Sequence, residues 1–145
     1  MKKLYVALVA FCLTSCGLTS PLYYWGGVQN GATVYEHLTY KNYDKQTPES
    51  LCKLICMYED IVSNPGGIRK MPPPGICAEY GYILLIPENA AIFAKHATAT
   101  QKKMFATGDY ASLFQNKGKE LLQKEIELYP ESARFIAPLI ERLCK

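Results

Sequence analysis

The chain has 145 residues, a formal charge of +3, and 20% charged against 49% hydrophobic side chains. That balance excludes a disordered chain, and the length suits one domain with its own core. Lys2 and Lys3 supply two of the three excess charges, so no basic stripe for nucleic acid remains in the rest of the chain.

Met1-Lys2-Lys3 followed by the uncharged run Leu4 to Phe11 has the form of a secretory signal. The apolar run is shorter than the roughly 20 residues a membrane-spanning helix needs. Leu13-Thr14-Ser15-Cys16 closes it and resembles a bacterial lipobox. In such signals the cysteine is acylated and the peptide before it is removed. Residues 1–15 are therefore expected as a signal peptide, and Cys16 as the lipidated first residue of the mature chain. Cys12 is the poorer candidate, because bulky Phe11 precedes it. Gly17 is not the Asp that retains many lipoproteins at the inner membrane, so the expected address is the periplasmic face of the outer membrane.

Residues 16–32 read as lipidated cysteine, tether and aromatic cluster, the last being Leu22-Tyr23-Tyr24-Trp25-Gly26-Gly27. The cluster either packs on the first helices, the favoured reading, or offers Tyr23, Tyr24 and Trp25 to a partner. Residues 33–145 read as a helical domain. Thr33 and Glu36 form a capping box for a short helix to about Tyr40. Asn42 to Gln46 is polar and reads as a loop. Thr47-Pro48-Glu49 starts a second helix, with Leu51, Leu54, Ile55, Tyr58, Ile61 and Val62 at helical spacing. Asn64-Pro65-Gly66-Gly67 ends it, and Pro72-Pro73-Pro74-Gly75 breaks the chain again.

Ile76 to Ile86 is expected to be a helix rather than a strand, with Ala78 and Gly81 small enough for a neighbour to approach. Ala90 to Thr107 reads as one helix or two short ones. Asp109 caps a long helix bearing Tyr110, Leu113, Phe114, Leu121, Leu122, Ile126 and Tyr129. Gly118 costs this helix about 1 kcal/mol relative to alanine unless packing needs the space. Glu125, Glu127 and Glu131 read as a solvated face. Pro130-Glu131-Ser132 ends the helix and caps a last one carrying Phe135, Ile136, Leu139, Ile140 and Leu143, with Pro138 near its first turn or kinking it.

The sum is an all-α fold of roughly five to seven helices. Helix hairpins joined by Pro/Gly turns suggest antiparallel pairs in a degenerate, tetratricopeptide-like repeat. Ala78 to Leu85 and Gly108 to Pro130 look like its repeat helices.

Six cysteines include Cys52, Cys56, Cys77 and Cys144 after the lipobox. Cys52 and Cys56 share a helix face. Three readings stay open: small buried apolar residues, a disulfide with Cys56–Cys77 as the pair to favour, or a metal or redox cluster that would also need Cys77 and His96. His37 and His96 have no context that marks either as a ligand. No catalytic motif stands out, and neither a cofactor nor a small-molecule ligand is expected.

At this point the chain resembles a family of small bacterial lipoproteins catalogued as a domain of unknown function, DUF4810. The resemblance rests on Tyr24-Trp25-Gly26-Gly27, Thr47-Pro48-Glu49-Ser50 and Pro73-Pro74-Gly75-Ile76-Cys77-Ala78-Glu79-Tyr80-Gly81-Tyr82. Lys124 to Ser132 and Leu139 to Leu143 complete it. Residues 87–107 look like an extension relative to shorter members. The resemblance implies a tetratricopeptide-like fold and work alongside a curli-secretion-channel-like lipoprotein and another small lipoprotein. The expectation is therefore a non-enzymatic, lipid-anchored adaptor, touching its partners through Tyr23, Tyr24 and Trp25 and the faces around Tyr80 and Tyr82. The alternative is an envelope metal or redox module built on Cys52, Cys56 and Cys77.

Overall fold

The structure, a computed structural model, describes residues 20–106 and 108–143. The signal, Cys16 and Cys144 lie outside them. Among the described residues the fold is all-α, with seven helices and one two-stranded ribbon. The ribbon pairs β1 (Val28–Gln29) with β2 (Ala32–Thr33), Val28 facing Thr33. Asn30 and Gly31 between them are both left-handed, at φ 53° and 82°. A type I′ hairpin turn requires that, and Asn-Gly is its preferred pair. This turn was legible in the sequence and is an addition to the elements expected there.

Helix α1 is Val34–Lys45, and the capping box forms: Thr33 Oγ1 accepts from the Glu36 N–H, while the Glu36 carboxylate accepts from the Thr33 N–H. Asn42 to Lys45, expected as a loop, is the last turn of α1, and the helix ends at left-handed Gln46. A solvated helix needs no apolar residue in its final turn, so polarity alone did not mark its end. Here the turn is also tied down, because Ser50 Oγ donates to Asn42 Oδ1 at 2.9 Å.

Thr47 and Pro48 start α2 (Pro48–Ser63) as expected, with Ser50 completing a second capping box. The stretch 76–86 is helical: α3 is Ile76–Leu85. The segment after it is two short helices, α4 (Pro87–His96) and α5 (Ala99–Lys102). Helix α6 is Tyr110–Leu128, followed by a 3-10 turn at Pro130–Ser132 and by α7 (Ala133–Leu143). Ser132 does not cap α7, because its buried Oγ has no hydrogen-bond partner. Pro138 lies inside α7 rather than in its first turn.

The core centres on α2, with Ile55, Ile61, Tyr80, Phe93 and Phe114 essentially inaccessible. Helix α2 packs on α1, α3, α4 and α5, while α3 makes its most extensive contact with α6. Phe93, Phe105, Tyr110 and Phe114 form one aromatic knot, with Phe93 5.1 Å from Phe105 and from Tyr110. Such edge-to-face pairs add to what area burial alone contributes. A second apolar cluster of Leu85, Leu122 and Ile136 seats α7 against α3 and α6. At the other end, the Ile68 and Arg69 N–H groups donate to the carbonyls of Pro21 and Leu22. Gly67 makes that approach feasible: its φ is 73°, and a Cβ there would lie 2.8 Å from both carbonyl oxygens.

The two glycines of the α3–α6 crossing face each other. A Cβ on Gly81 would lie 2.8 Å from the Gly118 carbonyl oxygen, and one on Gly118 would lie 2.6 Å from Leu85 Cγ. The packing partner that Gly118 needed is thus Gly81 with Leu85. Alanine at either position gains about 1 kcal/mol of helix propensity but overpacks the crossing by about 1–3 kcal/mol. Gly81→Ala, which strikes backbone, is expected to lower stability in urea unfolding. An unchanged or raised midpoint would mean that the helices need not lie this close.

Candidate functional site

Helix α1 turns one face outward that combines acid and aromatic groups. Glu36, Thr39, Tyr40 and Tyr43 recur at spacings of three and four, so they line one side of the helix. They join Tyr35 and Asn42 of α1, Leu54 and Tyr58 of α2, and Glu79 of α3 around an open cleft of about 590 Å³. Tyr40 and Tyr43 are 74% and 81% exposed, large aromatic rings without cover. A smaller hollow of about 200 Å³, lined by Trp25, Thr33, Tyr35 and Glu36, shares two residues with the cleft.

The cleft is built on a succession of rings. Trp25 lies 5.0 Å from Tyr35, Tyr35 6.2 Å from Tyr58, and Tyr58 stacks on Tyr80 at 5.5 Å. Glu79 holds the middle of this row. Its Oε2 accepts from the Tyr35 hydroxyl at 2.9 Å and from the Tyr58 hydroxyl at 2.7 Å. Burial, and then the Glu79 carboxylate, push the Tyr35 hydroxyl up to about 12. The same two causes raise Tyr58. Both phenols therefore stay protonated at neutral pH and act as fixed donors, and Glu79 is held in place as an acceptor. Hydrogen bonds from Thr33 draw the Glu36 carboxyl below its usual range. Its lining offers carboxylate acceptors beside aromatic rings.

The residues singled out from sequence are scattered relative to this cleft. Tyr23, Tyr24 and Trp25 are half-buried. Tyr24 donates to Asp60 at 2.8 Å, and both Tyr24 and Trp25 pack on the main core. This is the packing reading of the cluster, with the rim of the Trp25 hollow still open. Tyr80, expected on a contact face, is fully buried and is corrected accordingly. Tyr82, two residues on, is 47% exposed. Two residues on a helix are separated by roughly 200°, so the two tyrosines cannot share a face. Tyr82 is not among the residues that line the cleft.

Cys52, Cys56 and Cys77 are free thiols, so the Cys56–Cys77 pair of the disulfide alternative is not formed. Burial raises the Cys52 thiol and pushes those of Cys56 and Cys77 up to about 12. Thiols so protonated are poor nucleophiles and poor metal ligands. Among the described residues no three His, Cys, Asp or Glu side chains converge to hold a metal. His96 lies 3.9 Å from Glu49, and His37 is exposed.

No family model, curated protein or solved structure matches the chain. Sequence reasoning missed Tyr35, Glu36, Tyr40, Tyr43, Tyr58 and Glu79 as a group. Tyr43 fell in the stretch expected as a loop. The usable signal was Glu36, Tyr40 and Tyr43 on one face once the helix runs to Lys45.

Proposed function

We propose that this chain is a lipid-anchored envelope lipoprotein that works as a non-enzymatic docking or assembly component. The observation that carries the reading is the open, acidic, tyrosine-lined cleft on α1, α2 and α3. Uncovered tyrosines on a rigid helix suit protein recognition, because they offer large amphipathic area at small entropic cost. Cys16 supplies the membrane attachment through acyl chains, since the mature chain has little net charge of its own. Among the described residues no helix is long and apolar enough to cross a membrane. The packing of α3 on α6 fits a degenerate, tetratricopeptide-like stack. The partners to look for first are a curli-secretion-channel-like lipoprotein and a second small lipoprotein, as the family resemblance implies.

Fractionation tests the anchor. Cys16→Ala is expected to fold but to leave the membrane fraction or to accumulate unprocessed, while the parent chain sediments with outer membranes. Recovery of the variant in membranes at the parent level removes the lipobox reading. Crosslinking in intact cells tests the partner: a reproducible complex with an envelope lipoprotein supports docking, and a monomer throughout overturns it.

A further inference from the structure

The cleft is acidic, and no side-chain cation lines it. Its lining holds two carboxylates, Glu36 and Glu79, and no lysine, arginine or histidine. The ion pairs of the described residues are Lys45–Asp44, His96–Glu49 and Lys117–Glu59, and neither cleft carboxylate takes part in one. Glu36 is used by the helix cap and Glu79 by two tyrosine hydroxyls, yet a carboxylate offers about four lone-pair positions. Each keeps acceptor capacity, and neither has a side-chain cation beside it in the cleft. Around them stand the rings of Tyr35, Tyr40 and Tyr43, with buried Tyr58 beneath.

A cation between carboxylates and ring faces gains from both, and the guanidinium group suits this pairing best. It is planar, stacks on aromatic rings, forks onto carboxylates and is weakly hydrated. The form of the site decides between classes of ligand. The cleft is open to solvent and shares Tyr35 and Glu36 with the Trp25 hollow. Such a surface suits a peptide laid across it more than one enclosed small molecule.

We propose that this cleft docks an arginine-bearing peptide segment of a protein partner, an arginine seating between Tyr40 and Tyr43 against Glu79 and Glu36. The proposal rests on the docking reading above and names the chemistry of what docks. It assigns Glu79 to charge recognition, with Tyr35 and Tyr58 as the residues that position it.

The test uses the full lipidated chain in an uncharged, sugar-free detergent. The probe is a capped peptide, Ser-Arg-Ser-Arg-Ser, and its control has citrulline, a neutral isostere, in place of arginine. Titration calorimetry is expected to show the arginine peptide binding about tenfold more tightly than the control, with the difference shrinking as salt rises. Glu79→Gln and Glu36→Gln should each remove much of that preference. Both variants keep an acceptor oxygen for the tyrosines or the cap, so they should fold. Tyr43→Ala, at an exposed position, should weaken binding without moving the unfolding midpoint. Equal binding of the two peptides, or none of the arginine peptide, overturns the proposal. So does selective binding of chitotetraose lost in Tyr43→Ala, which would make the cleft a carbohydrate site.

A photocrosslinker at position 43 in cells separates this inference from the function it rests on. Capture of a defined envelope lipoprotein that is lost in Glu36→Gln/Glu79→Gln supports both. Capture that is indifferent to those substitutions keeps the docking surface and sinks the arginine. Failure to capture from position 43, with a complex still formed through another face, overturns the cleft as the docking site.

Discussion

Glu125→Ala is expected to destabilise the fold by about 3 kcal/mol, chiefly through the hydrogen bonds it removes. Glu125 is 2% exposed and reaches from α6 to the start of α3. Its Oε1 accepts from the Gly75 N–H at 2.7 Å and its Oε2 from the Ala78 N–H at 3.3 Å. The first turn of a helix leaves backbone donors without partners, and a side chain at the N-cap usually takes one of them. Here the N-cap is Gly75, which has no side chain to give. A carboxylate fifty residues away caps α3 instead, and its charge also suits the positive end of the helix. Alanine leaves two half-buried donors without this acceptor. Glu125→Gln keeps an oxygen and loses only the charge, so it should cost about half as much. Denaturant unfolding of the three proteins checks this ordering. A cost below about 1 kcal/mol for alanine would mean that water reaches α3 and caps it.

This cap also marks where sequence stops being informative. Thr33 with Glu36 and Thr47 with Pro48 were legible because the groups of a local cap lie three residues apart. The same holds for helix α3 over a strand, where Ala78 and Gly81 marked a close crossing. Glu125 looked solvated because Glu127 and Glu131 lie near it, and its partners are remote. A signal existed all the same: Gly118, Leu121, Leu122, Glu125 and Tyr129 lie on one face, so the glutamate stands in the buried stripe. Glu59 is the parallel case on α2, standing in the stripe of Cys52, Ile55 and Val62. A charged residue in an apolar stripe signals a tertiary partner, though not which one. The cleft was less legible still. Glu36, Tyr40 and Tyr43 could be grouped by period, but Tyr58 and Glu79 join them only when three helices pack. The contrast between buried Tyr80 and open Tyr82 likewise depends on which side α6 occupies.

Lys117→Met is expected to cost about 2–3 kcal/mol at pH 7, and the cost should fade as pH falls. Glu59 and Lys117 form a nearly enclosed ion pair, with side chains 10% and 25% exposed. The Glu59 carboxylate also accepts from the Tyr80 hydroxyl at 2.6 Å and from Ser63 Oγ at 2.7 Å. Burial works to raise the Glu59 carboxyl, but Lys117, Tyr80 and Ser63 outweigh it and hold it below the usual glutamate range. A carboxyl depressed on folding gives stability that is present above its unfolded value and is lost as pH falls through its folded value. The parent protein should therefore lose this contribution only in acid. In Lys117→Met the main lowering cause is gone and burial remains, so the folded value rises above the unfolded one. The penalty is then full at neutral pH and relaxes once Glu59 takes a proton, because a neutral carboxyl needs no cation. Adding Glu59→Gln to Lys117→Met should recover most of the loss at pH 7, since the uncompensated charge leaves with the carboxylate. Unfolding of the four proteins of this cycle at pH 7 and pH 4 decides the matter. A cost of Lys117→Met that is the same at both pH values would mean that the lysine serves through its aliphatic stem over Tyr80 and Phe105, each 6.0 Å from its nitrogen, and not through its charge.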